Sequence, residues 1–336
     1  MKAVAYNQPG PIESNNLQDI TIDTPKPTGR DLLVEIKAIS VNPVDTKLRR
    51  NVPRESSEWK ILGFDASGVV HSIGELVEDF KPGDEVYYAG ALDRPGTNCE
   101  FHLVDERIVG NKPTSLSYAE AAALPLTSIT AWELLFDRLK VQEPTPQGQE
   151  LCLVIGGAGG VGSITIQLLS ELTDLTIIAT ASRPETKSWV AECGAHHVIN
   201  HREPIAAQVE KLGLGAPGFV VSTNQSNQHY LDIAELIAPQ GRFGIIDDPD
   251  ILNPMALKMK SVSIHWEFMF TRSMYGTPDI SEQAKLLNKV ADLVDAGKIQ
   301  STLTQVAGKI NAKNLTEVHA RIEKSSTHGK IVLEGF

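Results

Sequence analysis

The sequence predicts an α/β protein of two domains, one a doubly wound parallel sheet and the other a β-rich barrel. Three observations predict it. The chain has 336 residues, which suits two domains better than one. From residue 151 onward, short apolar runs alternate with helical stretches, the pattern of a parallel sheet covered on both faces. Before residue 125 the apolar runs are short and punctuated by Gly and Pro, as in small barrel-like folds.

In chain order, residues 31–40 (DLLVEIKAIS) predict a half-buried strand, and 68–77 give apolar pieces broken by Gly74. Pro82-Gly83 predicts a turn into a strand ending at Tyr87. Residues 116–139 are rich in Ala and Leu at helical spacing, interrupted by Pro125. A Pro-rich connector at 142–148 leads to a strand at 151–155. Further strand cores fall at 175–181, 197–199, 219–222, 243–246 and 261–268, with helices at 160–172, 184–192, 204–212 and 228–237. Pro239-Gln240-Gly241 stops the last of these, and Gly297 stops a helix over 279–297. The tail, 299–336, holds strand-like pieces and a helix at 314–324. It does not continue the alternation and is assigned to the first domain. The expected division is therefore 1–126 with 272–336, and an inserted domain at 127–271.

The run Gly156-Gly157-Ala158-Gly159-Gly160-Val161-Gly162 follows the 151–155 strand and opens a helix. A glycine turn in that place reads as a dinucleotide site, the alternative being an ordinary βα loop. Gly157 is expected to allow the tight turn, Gly159 the approach of a pyrophosphate, and Gly162 close packing. The N–H groups at the helix start, around Ala158, Gly160 and Val161, face the phosphates. This is the Rossmann arrangement. In NAD sites an acid at the end of the second strand holds the ribose 2′-OH. Here that strand ends Thr180-Ala181-Ser182-Arg183-Pro184, without an acid. Ser182 can donate to a 2′-phosphate, Arg183 can clamp it and Lys187 can add charge, so the expected cofactor is NADP(H).

Net charge is −11, from 42 acidic and 31 basic residues, which argues against nucleic-acid or anionic-membrane partners. Lys47-Leu48-Arg49-Arg50 reads either as a phosphate site or as a solvated face. No apolar run reaches the length of a membrane span. Three dispersed cysteines and no signal-like segment predict free thiols and a cytoplasmic setting.

Asn42-Pro43-Val44-Asp45, Gly63-Phe64-Asp65-Ala66-Ser67-Gly68, Phe80-Lys81-Pro82-Gly83-Asp84-Glu85, Ala122-Ala123-Leu124-Pro125-Leu126-Thr127 and the glycine run together resemble the medium-chain dehydrogenase/reductase superfamily. The likeness is greatest to its quinone oxidoreductase and ζ-crystallin branch, and to bacterial zinc-type alcohol dehydrogenase-like proteins. It implies a GroES-like substrate domain made from both chain ends, a Rossmann domain, an active site in the cleft between them, and dimers joined through the last Rossmann strand. It also implies the positions of zinc ligands in the zinc-dependent branch. Here those regions read Val41-Asn42-Pro43-Val44-Asp45, Gly63-Phe64-Asp65 with phenylalanine in place of the histidine, and Pro125-Leu126-Thr127-Ser128, without Cys or His, and no four-cysteine lobe is present. No metal is therefore expected.

Without a metal, the expected reaction is hydride transfer from NADPH to quinones, enones or 2-alkenals. By resemblance, Asn42 and Asp45 lie at the mouth of the cleft. Asn42 donates to the nicotinamide ribose or substrate and Asp45 relays a proton, or both only fix an Asn-Pro turn. Thr127 matches a residue near the nicotinamide. Ser222 ends the fourth Rossmann strand, and His201 stands where relatives carry a tyrosine by the adenine. Lys330 either reaches the cofactor or is a solvated residue of an edge strand. The basic loop after Asp45 lacks the tyrosine that relatives carry, which leaves the proton donor unassigned; Tyr87, Tyr88 and His265 are candidates or core residues. The substrate pocket is expected from loops around 46–60 and 248–276. The alternatives to a quinone or alkenal reductase are an alcohol dehydrogenase and a non-catalytic NADPH-binding sensor or crystallin.

Overall fold

Strand alternation and glycine turns build the first part of the chain, and the computed structural model describes residues 1–14, 16–51, 59–146, 150–325 and 327–336. Residues 52–54 of the basic stretch, most of the 46–60 loop beyond Asn51, and 147–148 of the Pro-rich connector lie outside the described residues. The chain divides into two compact units, Met1–Ile129 with Phe270–Phe336, and Thr130–Met269.

The first unit runs through β1 (Lys2–Tyr6), β2 (Gln18–Thr21), β3 (Asp31–Ser40), α1 (Pro43–Asn51), β4 (Lys60–Ile61), β5 (Ala66–Ile73), β6 (Glu85–Tyr88), β7 (Phe101–Asp105), β8 (Val109–Asn111) and α2 (Tyr118–Ala122). Helix α3 (Pro125–Trp132) then carries the chain into the second unit. Pro125 opens this helix, where its missing N–H costs nothing. The central strand, β3, pairs with β5, β7 and a C-terminal strand, and shifts register twice against β5. Such bulges bend a sheet toward a barrel.

The second unit alternates β9 (Leu151–Ile155), α4 (Gly160–Leu172), β10 (Thr176–Thr180), α5 (Pro184–Glu192), β11 (His197–Ile199), α6 (Ile205–Leu212), β12 (Phe219–Ser222), α7 (Ser226–Leu236), β13 (Arg242–Ile245), α8 (Met255–Lys258) and β14 (Ser263–Trp266). Its six strands are all parallel, in the order β11-β10-β9-β12-β13-β14. That is the doubly wound order with its switch point beside the first strand. All five β9 residues are buried, as a central parallel strand requires. Leu153, Ile178, Val220, Ile233 and Phe243 meet in one core beneath the helices.

The chain returns to the first unit as α9 (Thr271–Tyr275), α10 (Glu282–Asp295), β15 (Leu303–Val306), α11 (Ala312–Glu323) and β16 (Lys330–Glu334). Strand β16 lies between β15 and β3, so it is not an edge strand.

Two expectations are corrected in this unit. The basic stretch after Asp45 is not a loop but helix α1 as far as Asn51. Within it Arg49 is not solvated. α1 packs on α11, which turns Arg49 inward to an ion pair with Glu323. Its Nη1 donates to the Gly10 carbonyl at 2.7 Å and its Nε to His319 Nδ1 at 3.4 Å.

Candidate functional site

The glycine turn of the second unit is strained where the chain reverses. Gly156 adopts φ +78°, and a Cβ there would lie 2.3 Å from Thr223 Oγ1. The tight turn thus belongs to Gly156 and not, as expected, to Gly157, whose φ is ordinary. Gly157 is instead small for packing: a Cβ would approach Ala179, Ile166 and Val190 at 3.0–3.3 Å. Gly159 precedes α4 in extended conformation, and its Cβ position is clear to 3.5 Å. The space in front of the helix start is therefore open to a ligand. A Cβ on Gly162 would lie 2.3 Å from the Gly156 carbonyl, so Gly162 lets α4 close onto the turn. Two threonines fasten this turn. Gly156 N–H donates to Thr180 Oγ1 at 3.0 Å, and Thr223 Oγ1 donates to the Ile155 carbonyl at 2.9 Å.

Ala158, Gly160 and Val161 line the helix entry, and Ser182, Arg183, His201 and Ser222 follow the C-terminal ends of neighbouring strands. In a doubly wound sheet this edge is where ligands gather. Arg183 is half-buried ahead of α5, its Nε 3.1 Å from Glu185. Lys187 is exposed one turn further on. Ser222 is buried and accepts from Ser226 Oγ at 2.8 Å, so its hydroxyl belongs to the start of α7. His196 gives its Nδ1 to the Ile177 N–H at 2.9 Å and acts as a strap between strands.

In the first unit, the segments where zinc ligands are expected do converge, but on a carboxylate and an ammonium. Asp65 Oδ1 accepts the Leu126 N–H at 2.7 Å, and Oδ2 accepts Asn42 Nδ2 at 2.7 Å. Lys330 Nζ stands 2.9 Å from Asp65 Oδ2, and also donates to Asn42 Oδ1 and to the Val41 carbonyl. All three ammonium hydrogens are thereby used. The solvated-edge reading of Lys330 is corrected, since the residue is 4% exposed. Phe64 packs edge-on against Phe270, ring centroids 5.2 Å apart.

Asp45 is 1% exposed, and its two oxygens accept the N–H groups of Asn42 and Gly63 at 2.8 and 2.9 Å. Burial pushes its carboxyl up to about 7, opposed by those two N–H groups and by Lys330. Burial also raises Asp65, and Lys330, the Leu126 N–H and Asn42 pull it back. The geometry favours the turn-fixing alternative for Asp45, which binds two backbone segments together. Thr127 is buried with its hydroxyl on the Leu124 carbonyl at 3.1 Å.

The candidate proton donors on β6 are core residues. Tyr87 donates to the Leu287 carbonyl at 2.5 Å and Tyr88 pairs with His102 at 3.0 Å. Burial raises both phenols well above their ordinary value. Cys99, Cys152 and Cys193 are free and buried, their thiols raised by burial to about 12, and none is poised as a nucleophile. Sequence reading missed Asp65 as a site residue, although a carboxylate amid the apolar GFDASGVV run was its signal. Among the described residues no three His, Cys, Asp or Glu side chains gather as a metal-binding group.

An alcohol dehydrogenase GroES-like domain matches residues 28–131, and a zinc-binding dehydrogenase domain matches residues 193–333. The chain is 39% identical to the zinc-type alcohol dehydrogenase-like protein of Staphylococcus aureus (strain MSSA476), over 99% of each chain. The chain belongs to the medium-chain dehydrogenase/reductase superfamily. Its superfamily relatives include the human mitochondrial NAD(P)H oxidoreductase, 27% identical over 90% of this chain and 81% of that one. A candidate zinc-dependent alcohol dehydrogenase from Rhizobium etli CFN 42 has the same structure, with TM-score 0.98 and 58% identity over 100% of this chain and 98% of that one. As a member of this superfamily the protein is an oxidoreductase of the pyridine-nucleotide-dependent kind. No helix among the described residues is long and apolar enough to cross a membrane.

Proposed function

We propose that the protein is an NADPH-dependent, zinc-independent reductase of quinones or activated alkenes. The observation that carries the reading is the Lys330–Asp65 pair where the zinc-dependent branch binds its metal. A catalytic zinc needs about three soft or imidazole ligands and an open position. Here the converging segments offer an amide, a phenylalanine and two buried carboxylates, Asp65 paired with the Lys330 ammonium and Asp45 occupied by the Asn42 and Gly63 N–H groups. Zinc does not fit this donor set, despite the relatives' names. An enzyme without that Lewis acid suits acceptors that are already electron-poor, such as quinones, enones and 2-alkenals.

NADPH fits the second unit. The open face at Gly159 and the start of α4 suit its pyrophosphate, and Ser182, Arg183 and Lys187 suit its 2′-phosphate. When bound, it supplies the hydride. Asn42 and Asp45 are positioning residues that hold the 42–45 turn, Asn42 through Asp65 and Asp45 through Gly63. The protein works as a homodimer joined through β14, an edge strand that ends in Trp266 and is followed by Phe268, 52% and 49% exposed.

Two measurements test the reading. Elemental analysis of protein produced in zinc-supplemented medium is expected to find no stoichiometric zinc; one zinc per chain contradicts it. Arg183→Ala is expected to weaken NADPH binding by about 1.5–3 kcal/mol and to leave NADH binding nearly unchanged. Equal losses for both cofactors contradict the NADPH assignment.

A further inference from the structure

β10 and β11 run parallel and in register, Ile178 beside His197 and Thr180 beside Ile199. The Ala181 N–H still donates to the Ile199 carbonyl at 2.9 Å. The chain therefore leaves both strands side by side, as Ser182-Arg183 from one and Asn200-His201-Arg202 from the other. His201 meets His229 of α7 edge to face, their ring centroids 6.5 Å apart at 66°. His229 is buried and His201 half-buried.

Few charges act on this pair. His201 is pushed down first by burial, then by His229, Arg202 and Arg183. Burial lowers His229 too, against Asp232 on the same helix. Asp232 also accepts the Ile205 N–H at the start of α6 at 3.2 Å. Glu203 is engaged by Asn200 at 2.8 Å and Glu185 by Arg183. Both imidazoles are thus pushed below their ordinary value, and Arg202 and Arg183 act on His201, beside the strand tip assigned to the 2′-phosphate. Arg183 is already shared with Glu185, so a phosphate there gains from a further cation.

We propose that His201 and His229 form a proton-dependent clamp for the 2′-phosphate, so that NADPH binding takes up a proton and NADH binding does not. The proposal rests on the NADPH reading above. A phosphate monoester carries about −1.5 to −2 charges at pH 7. A dianion beside a neutral imidazole raises its pKa, because it favours the imidazolium. The proton comes from solvent, adds to the imidazole nitrogen, and yields one charge-assisted hydrogen bond to a phosphate oxygen. The phosphate's own titration has the opposite sign. Arginines lower its pKa, so a monoanion entering the site would release a proton. The direction of proton exchange therefore separates histidine participation from a purely arginine site.

The test is calorimetric titration with NADPH and with NADH, in two buffers of equal pH and different ionisation enthalpy, repeated from pH 8 to pH 6.5. The wild-type protein is expected to take up a proton with NADPH and none with NADH. Its NADPH-over-NADH preference should grow as pH falls, by up to about tenfold per unit for each proton taken up. His201→Asn, or His229→Asn if the first does not fold, is expected to abolish the uptake and flatten that slope. The preference due to Arg183 should remain. If the wild-type protein prefers NADPH but exchanges no proton or releases one, the clamp is wrong and the NADPH reading stands. Uptake that survives in both variants also overturns the clamp. If NADPH is not preferred over NADH at any pH, both fall.

Discussion

Lys330 holds three segments through one ammonium group, donating to Val41, Asn42 and Asp65. Removing one member of a buried ion pair leaves the other charge unpaired, a cost of about 3–5 kcal/mol. Lys330→Met is therefore expected to lower stability by that amount in urea unfolding, and a loss under about 1 kcal/mol would contradict the network. At this scale the sequence was partly legible. The absence of an acid after Ala181 and the missing zinc ligands are local facts of identity. The burial of Arg49 and Lys330 was not legible, because each is turned inward by an element far along the chain, Glu323 in one case and Asp65 in the other. Asp65 was hidden for the same reason. Its partners at 42, 126 and 330 share no spacing in sequence.

The glycine turn is the element in which neighbouring residues of one type do different work. A methyl on Gly159 meets nothing closer than 3.5 Å, whereas one on Gly162 would collide with the Gly156 carbonyl at 2.3 Å. Gly159→Ala is expected to keep the melting temperature while weakening both NADPH and NADH, since it fills the approach to the pyrophosphate. Gly162→Ala is expected to lower the melting temperature as well. Equal melting temperatures for the two variants would show that the close approach of α4 is not needed. Thermal unfolding and cofactor titration on both variants decide this. Most strands and helices of this unit were legible, because periodicity and stops such as Pro239-Gln240-Gly241 are local. Which glycine takes the positive φ was not, since Gly156 and Gly157 differ only in what surrounds them. Helix α1 is not legible locally, because its residues are basic and follow an Asn-Pro pair. Its stability comes from packing on α11.

For the whole molecule, the alternation from β9 to β14 made the parallel sheet legible, and its strands take the 3-2-1-4-5-6 order of doubly wound sheets. The pairing of β16 with β3, Val332 opposite Ser40, was not legible in register, because nothing local sets it. The exposed β14 edge bears on assembly. Trp266→Glu is expected to convert a dimer to a monomer in sedimentation, and an unchanged mass would place the interface elsewhere. The proposed activity is that of a reductase that uses NADPH and needs no metal. It is tested most directly by NADPH oxidation with chelator-treated, zinc-free protein against quinones, enones and 2-alkenals, with alcohol oxidation by NADP⁺ in parallel. Turnover of at least one electron-poor acceptor is expected, faster with NADPH than with NADH, and no alcohol oxidation. Turnover that appears only when zinc is restored, oxidation of alcohols alone, or tight NADPH binding with no turnover would contradict it.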